Sequence, residues 1–230
     1  MIVSHKYKFI FLKTNKTAGT SIEIALSGIC GADDIISPVS PEDEKTRAEL
    51  GYRGPQHHLA PAREYGIVDV ARLLLKGRKK NRFYNHMSAA EVKALIGAET
   101  WGNYYKFCFE RNPWDRVISL YYWRCKSEPR PTISEFIDTG VLKRLKNKGL
   151  GLYSIDGEVA VDKICRFENI DEELDLIRSR LGITEKLDLP HAKSRFRKDK
   201  RSYRDILDAE QQAKIAALFS EEIRLMGYEF

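Results

Sequence analysis

The chain of 230 residues is long enough for one domain with a substantial hydrophobic core. Its composition, 43% hydrophobic and 31% charged, excludes wholesale disorder. A net charge of +6 at pH 7 fits an anionic ligand, and equally a nucleic acid or an acidic membrane surface.

The first predicted element is Phe9-Ile10-Phe11-Leu12, an apolar run without alternation, as in a strand buried on both faces of a parallel sheet. A polar loop follows, Lys13-Thr14-Asn15-Lys16-Thr17-Ala18-Gly19-Thr20-Ser21, and then the apolar-patterned helix that begins Ile22-Glu23-Ile24-Ala25-Leu26. Glycine lets backbone approach a ligand closely. The N–H groups of a new helix's first turn attract phosphate or sulfate, and Lys16 adds a full charge beside them. The order is not that of a Walker A loop, because Lys16 precedes Gly19 instead of following it.

Gly28 and Gly31 supply stop signals for that helix. Residues 32–62, punctuated by Pro38, Pro41, Gly51, Gly54, Pro55 and Pro61, are read as a long excursion with little regular structure. Its pair His57-His58 reads as a surface pair, since no second pair of ligands lies nearby to complete a zinc site. Ile67 to Lys76 has the pattern of a short amphipathic helix. From Lys76 to Arg82 five of seven residues are cations, a solvated face or the lining of an anionic acceptor's path. His86 stands just before a capping box, Ser88 with Glu91, which predicts a helix from Ala89 to Ile96 ended by Gly97.

Tyr104 to Glu110 is aromatic-rich and reads as a strand. Arg111-Asn112-Pro113-Trp114-Asp115-Arg116-Val117-Ile118-Ser119 follows at once. Asn112 suits the N-cap, Pro113 the first helical position and Asp115 the first turn of a helix running to about Cys125. This is a second strand-to-helix junction built for an anion, with Asp115, Ser119 and Tyr122 on one helix face. Further on, a helix is expected at Ile133–Phe136, and a basic segment precedes Gly149. A buried strand is expected over Val159–Phe167, and a helix ends at Leu181 before Gly182. From His191 to Arg204 the chain is strongly basic, as in a loop closing over a nucleotide or in a nucleic-acid patch. Asp208 and Gln211 open a final helix that Leu218, Ile223 and Leu225 are expected to dock.

The two junctions, in this order, resemble those of sulfotransferases that use 3'-phosphoadenosine 5'-phosphosulfate (PAPS), in the branch of carbohydrate O-sulfotransferases with many bacterial relatives. The loop Lys-Thr-Ala-Gly-Thr-Ser is similar to the family's 5'-phosphosulfate loop, with Asn15 where a proline usually stands. Arg-Asn-Pro-Trp-Asp-Arg-Val-Ile-Ser is similar to its 3'-phosphate motif. Arg166-Phe167-Glu168-Asn169 and the ending Gly227-Tyr228-Glu229-Phe230 look like later parts of the family. The resemblance implies that Lys16, Thr17, Ala18, Gly19, Thr20 and Ser21 grip the phosphosulfate and that Arg111 and Ser119 hold the 3'-phosphate. It also implies a catalytic role for Lys16 at the bridging oxygen and for His86 as general base, with His58 or a carboxylate as alternatives. It is weakest over 32–82 and 128–158, where acceptor specificity is expected.

The expectation is therefore an α/β, P-loop-like single domain over residues 1–230 with a mainly parallel central sheet flanked by helices. The expected reaction moves a sulfuryl group from PAPS, as co-substrate and without a metal, to an acceptor hydroxyl, carbohydrate being favoured by the resemblance and by Trp101, Tyr104 and Trp123, aromatics that equally fit a core. The competing readings are a nucleotide-dependent phosphotransferase, which would want Walker A order and an acidic magnesium ligand, and a nucleic-acid-binding module. Nucleic acid is not the expected partner. Cys30, Cys108, Cys125 and Cys165 show no CxxC spacing and read as reduced thiols. With no signal-peptide core in the first residues and no stretch long enough to span a bilayer, a cytoplasmic location is expected.

Overall fold

Two apolar runs at the start of the chain pair as a hairpin: β1 (Ile2–Ser4) lies antiparallel to β2 (Phe9–Leu12), with Ile2 opposite Phe11. The computed structural model describes residues 1–190, 199 and 201–230. After β2 comes α1 (Gly19–Ser27), then β3 (Ile35–Ile36), which pairs antiparallel with β1. The excursion that follows carries α2 (Pro41–Glu49) and α3 (Ile67–Lys76). α4 (Ala89–Ile96) and α5 (Ala98–Asn103) lead into β4 (Tyr105–Glu110) and α6 (Pro113–Arg124).

Three short helices come next, α7 (Ile133–Asp138), α8 (Val141–Asn147) and α9 (Leu150–Tyr153). A small hairpin of β5 (Ser154–Ile155) and β6 (Glu158–Val159) precedes β7 (Lys163–Arg166). The chain ends with α10 (Ile170–Leu181), α11 (Tyr203–Ile206), α12 (Ala209–Leu218) and α13 (Ser220–Met226).

The central sheet has the order β3-β1-β2-β4-β7. β2 pairs in parallel with β4, and β4 with β7. Since β1 is antiparallel to both its neighbours, the other four strands share one direction and β1 alone is reversed. The sheet is thus mainly parallel. Phe9 and Phe11 of β2 pack with Phe107 and Phe109 under α1 and α10, through Ile22, Leu26, Leu174 and Ile177. Ile10 and Leu12 face the other way with Cys108, toward Val92, Trp101 and Tyr153. Both faces being covered, the run carries no polar alternation. A separate helical cluster joins α6, α7 and α8 to α12 through Val117, Phe136, Leu145, Ile215 and Phe219.

Several expectations change. Residues 41–49 are helical: Ser40 accepts from the Asp43 N–H, Pro41 takes the first position and three acidic residues fill the first turn. The strand expected over Val159–Phe167 is split into β6, ending at Val159, and β7, starting at Lys163; between them the exposed Asp162 accepts from the Lys106 N–H at 2.7 Å and pairs with its ammonium at 2.9 Å. The final helix breaks at Phe219; Leu218 and Ile223 pack half-buried against the cluster as expected, but Leu225 is exposed, and Ile215, Phe219 and Met226 are the buried docking residues. Most of the basic tract expected to close over a ligand, residues 191–198 and 200, lies outside the described residues. The four cysteines are free thiols. Among the described residues, no helix is long and apolar enough to cross a membrane.

The excursion is tied off twice. The Asn85 side chain donates to the Pro38 carbonyl at 2.6 Å. Further out, a neck joins Leu59 to Asn81 and the Ala60 N–H to the Lys80 carbonyl at 2.9 Å. Beyond the neck, no residue from 61 to 79 is buried.

Glu222 on α13 is fully buried, and neither carboxyl oxygen has a hydrogen-bond partner. Burial raises its pKa from 4.5 to about 7, with the nearby Glu110 charge adding to the effect. A carboxyl with a raised folded pKa stabilises the fold at low pH and loses that stabilisation as pH climbs from 4.5 through about 7. Glu222→Gln is therefore expected to gain on the order of 3 kcal/mol of stability over wild type at pH 8 and little at pH 4, at about 1.4 kcal/mol per pH unit. Urea unfolding at the two pH values checks this; equal effects at both would show that the carboxyl does not titrate in the fold.

Candidate functional site

β2 and β4 end side by side, with Leu12 opposite Cys108, so the segments leaving them meet at the sheet's carboxyl edge, where open α/β sheets place their ligands. The loop after β2 is fastened from below. The Thr14 hydroxyl donates to the Phe109 carbonyl and lies 2.8 Å from the Thr17 hydroxyl. The Asn15 N–H donates to the Lys148 carbonyl at 2.9 Å. Lys16 and Ala18 both take left-handed backbone angles, φ 67° and 56°. Gly19 is required by space, since a Cβ there would sit 2.7 Å from Lys13 Cγ and 3.3 Å from the Thr14 carbonyl oxygen. Ala18, the N-cap of α1, has no oxygen in its side chain and makes no cap hydrogen bond to the first turn. The first junction is thus a glycine-tight loop whose helix end offers donors, with Lys16 beside it.

The second junction is built differently. The Asn112 side chain accepts from the N–H groups of Trp114 and Asp115 at 3.2 and 3.4 Å, so the residue expected as N-cap already occupies the end of α6. The backbone of this junction is therefore not the open anion site its sequence suggests. What it offers is side chains. Arg111 donates from Nε and Nη2 to Asp115 Oδ2 at 2.9 and 2.6 Å. It also donates from Nη1 to the Lys16 carbonyl at 3.2 Å, and its guanidinium lies 4.0 Å from the Phe167 ring centre. Arg111 thus links the two junctions directly. The Ser119 hydroxyl has no hydrogen-bond partner among the described residues. One turn further on the same face, Trp123 carries the Lys16 ammonium 5.1 Å from its ring centre. A cavity of about 330 Å³ opens beside Asp115, lined also by Asn112, Arg166, Glu168, Tyr203 and Arg204.

His86 reaches the loop from the far end of the excursion. Its Nδ1 lies 2.8 Å from the Lys13 carbonyl oxygen. A carbonyl only accepts, so this bond puts the proton on Nδ1 and leaves Nε2 with its lone pair. Burial lowers the imidazole pKa to about 4, and the Lys13 ammonium lowers it further than the carbonyl contact raises it. His86 is neutral at pH 7. The cause is burial and Lys13, not the helix dipole, because Ser88 and Glu91 already close the end of α4. His57 donates instead to the Ala32 carbonyl at 2.9 Å, and His58 lies at the neck, its carbonyl accepting from Arg82 and Phe83. Among the described residues neither contacts the loop. Trp101 is a core residue, and Tyr104, bonded to His5, precedes β4 at the opposite end of the sheet. Of the three aromatic residues singled out in the sequence, Trp123 alone meets the loop.

The supporting residues were not evident from sequence. Arg116 is fully buried; it pairs with Glu110 at 2.9 Å, donates to the Asn15 carbonyl at 2.9 Å and to the Lys148 carbonyl at 3.0 Å. It holds the underside of the loop against α8. Lys13 is buried in a pair with Glu23 at 2.9 Å and donates to Asn85 at 3.1 Å. Glu23 also faces the Met1 amino group at 3.0 Å and Arg47 at 3.7 Å. Burial alone would raise its carboxyl, but these three cations outweigh it and hold it well below the usual range. One signal was present: Glu23 sits between Ile22 and Ile24, and Lys13 follows four apolar residues. Charges in apolar runs are buried only when paired. Among the described residues, no group of three or more His, Cys, Asp or Glu is placed to hold a metal.

Residues 1–152 match the model of the sulfotransferase family. An uncharacterised protein of Archaeoglobus fulgidus is 30% identical over 106 residues, 45% of this chain and 88% of its own length. Among solved structures, mouse sulfotransferase SULT7A1 complexed with PAP is similar at a TM-score of 0.49 and 14% identity, over 96% of this chain and 86% of that one. A sulfotransferase from Alicyclobacillus acidocaldarius is similar at a TM-score of 0.43 and 16% identity, over 97% and 96%. Both structural likenesses are distant.

Proposed function

This chain belongs to the sulfotransferase family, and from that premise we propose that it moves a sulfuryl group from PAPS to an acceptor hydroxyl, the acceptor being a carbohydrate. The observation that carries the reading is convergence on one loop: Arg111 donates to the Lys16 carbonyl, and His86 donates to that of Lys13. The donor set fits an anionic nucleotide, with the α1 start that Ala18 does not cap, Lys16 beside it, and Arg111 and Ser119 at the second junction. When bound, PAPS supplies an activated sulfonate and a stable leaving group.

In this reading Thr17, Ala18, Gly19, Thr20 and Ser21 bind the 5' end with Lys16, and Arg111 and Ser119 take the 3'-phosphate. His86 Nε2 accepts the acceptor's proton as the acceptor oxygen bonds to sulfur. Lys16 and the loop N–H groups neutralise the oxygen that sulfur leaves. Trp123, exposed beside Lys16, offers the ring face that supports a sugar acceptor.

Thermal unfolding with adenosine 3',5'-bisphosphate and with ATP tests the nucleotide reading. The bisphosphate at a hundred times its Kd is expected to add about 2.7 kcal/mol, and ATP less. Equal, negligible shifts would overturn it. Arg111→Ala is expected to weaken bisphosphate binding by about 1.5–3 kcal/mol and Ser119→Ala by about 1 kcal/mol, as charge-assisted bonds exceed neutral ones. Calorimetric titration of both variants measures this. Wild-type affinity in a folded Arg111→Ala protein would remove Arg111 from the site.

A further inference from the structure

The helix α3 buries none of its residues. Its exposed apolar side chains are large: Ile67 is 90% exposed, Val68 61%, Leu74 79% and Leu75 82%. An amphipathic helix ordinarily turns this stripe toward the core. Here the opposite face is the one tied to the protein. Asp69 pairs with Lys80 at 2.8 Å, and Lys80 is held by the Glu64 carbonyl and the Tyr65 hydroxyl at 2.8 and 3.0 Å. Gly66 and Gly77 bound the helix, and its apolar stripe faces outward.

Cations flank the stripe. Arg72, Lys76, Arg78 and Lys79 make no salt bridge among the described residues, and with Asp69 and Lys80 they line a cavity of about 550 Å³ at the helix's C-terminal end. Asp69 is the one acidic residue there, and Lys80 already neutralises it. A second copy of this chain is a poor occupant: a two-fold contact through α3 would set this cationic group against itself, and lysine is depleted at protein interfaces. A surface that is apolar within and anionic at its rim complements both features at once. An amphipathic helix with a cationic polar edge lies in the plane of a bilayer, its apolar face among the acyl chains.

We propose that α3 docks the protein on an anionic membrane surface, with Ile67, Val68, Leu74 and Leu75 inserted at the headgroup boundary and the four cations on lipid phosphates. The inference is independent of the transfer chemistry. The chain returns from Gly77 through the neck to His86, so docking would hold the excursion and the adjoining loop near the bilayer.

The test is co-sedimentation of the full chain with vesicles of phosphatidylcholine alone and of equal parts phosphatidylcholine and phosphatidylglycerol. Wild type is expected to sediment with the mixed vesicles, to stay in solution with the neutral ones, and to release as salt is raised. Leu74→Ser/Leu75→Ser is expected to lower partitioning about tenfold or more, since it removes the apolar contact. Arg78→Glu/Lys79→Glu is expected to lower it roughly fivefold or more for each charge changed. Both variants should keep the wild-type melting temperature, because the altered side chains are exposed. Wild type that stays in solution with the mixed vesicles would overturn the proposal, as would either variant sedimenting like wild type. A concentration-dependent dimer that Leu74→Ser/Leu75→Ser abolishes, without vesicle binding, would overturn it in favour of a second copy.

Discussion

His86→Ala is expected to lose roughly a hundredfold in turnover while binding adenosine 3',5'-bisphosphate as tightly as wild type. The side chain is set up to accept a proton: the Lys13 carbonyl fixes the hydrogen on Nδ1, and burial keeps the ring neutral. The same burial limits the effect. A base at about pKa 4 drives proton transfer less than one near neutrality, so the loss should lie toward the low end of the usual range of about 10²–10⁴. The pH profile carries the sign. The ring must be neutral to act, so kcat/KM should be level at neutral pH and fall as pH drops through about 4. In the complex, the negative charge of the nucleotide favours the imidazolium, so the acidic limb of kcat should lie at higher pH than that of kcat/KM. Both limbs should vanish in His86→Ala. His58→Ala serves as the control; if it loses activity while His86→Ala does not, the roles are exchanged, and if neither does, a carboxylate is the base or none is needed.

Lys16→Ala is expected to cost about 10²–10³ in kcat, and at most about tenfold in affinity for the desulfated bisphosphate. The ammonium is most needed when negative charge grows on the oxygen leaving sulfur, and less in the ground state. The loop is a favourable place to isolate that charge, because the contact from Arg111 is to the Lys16 backbone carbonyl and survives the substitution. The side chain also lies against the Trp123 ring, a cation–π pair at 5.1 Å along the α6 face. Single-turnover kinetics beside equilibrium binding separates the two effects. A kcat within about twofold of wild type would place Lys16 away from the reacting bond.

Much of the frame could be read from the chain because it rests on local physics. The Phe9–Leu12 strand, the Ser88–Glu91 box and the Asn112-Pro113 helix start all appear where their residues imply. α2 carried an equally plain signature in Ser40-Pro41-Glu42, but the surrounding prolines and glycines obscured it. At the candidate site, the two strand-to-helix junctions were legible in the sequence, and the structure joins them through Arg111. What sequence could not reveal was tertiary: that Asn112 uses up the α6 end, that Lys13 reaches His86 through its carbonyl, and that Arg116 supports the loop from beneath. These contacts join residues far apart in the chain, and no local spacing encodes them. The apolar stripe of α3 shows the converse failure, since periodicity identifies a face without saying what covers it.

The neck at Leu59–Asn81 makes the outer excursion exchangeable. Everything between Ala60 and Lys80 lies outside the core, and its two ends are joined by backbone hydrogen bonds instead of by side-chain identity. Closing a loop twice as long costs only about 0.6 kcal/mol more, small against a typical domain stability of about 5–15 kcal/mol. A segment of different length or character can therefore be spliced in at the neck, by duplication in evolution or by design at the bench, while Asn85 and Lys13 keep His86 in register with the loop. The outer excursion and the arrangement around His86 are, in this architecture, separately variable parts of the chain.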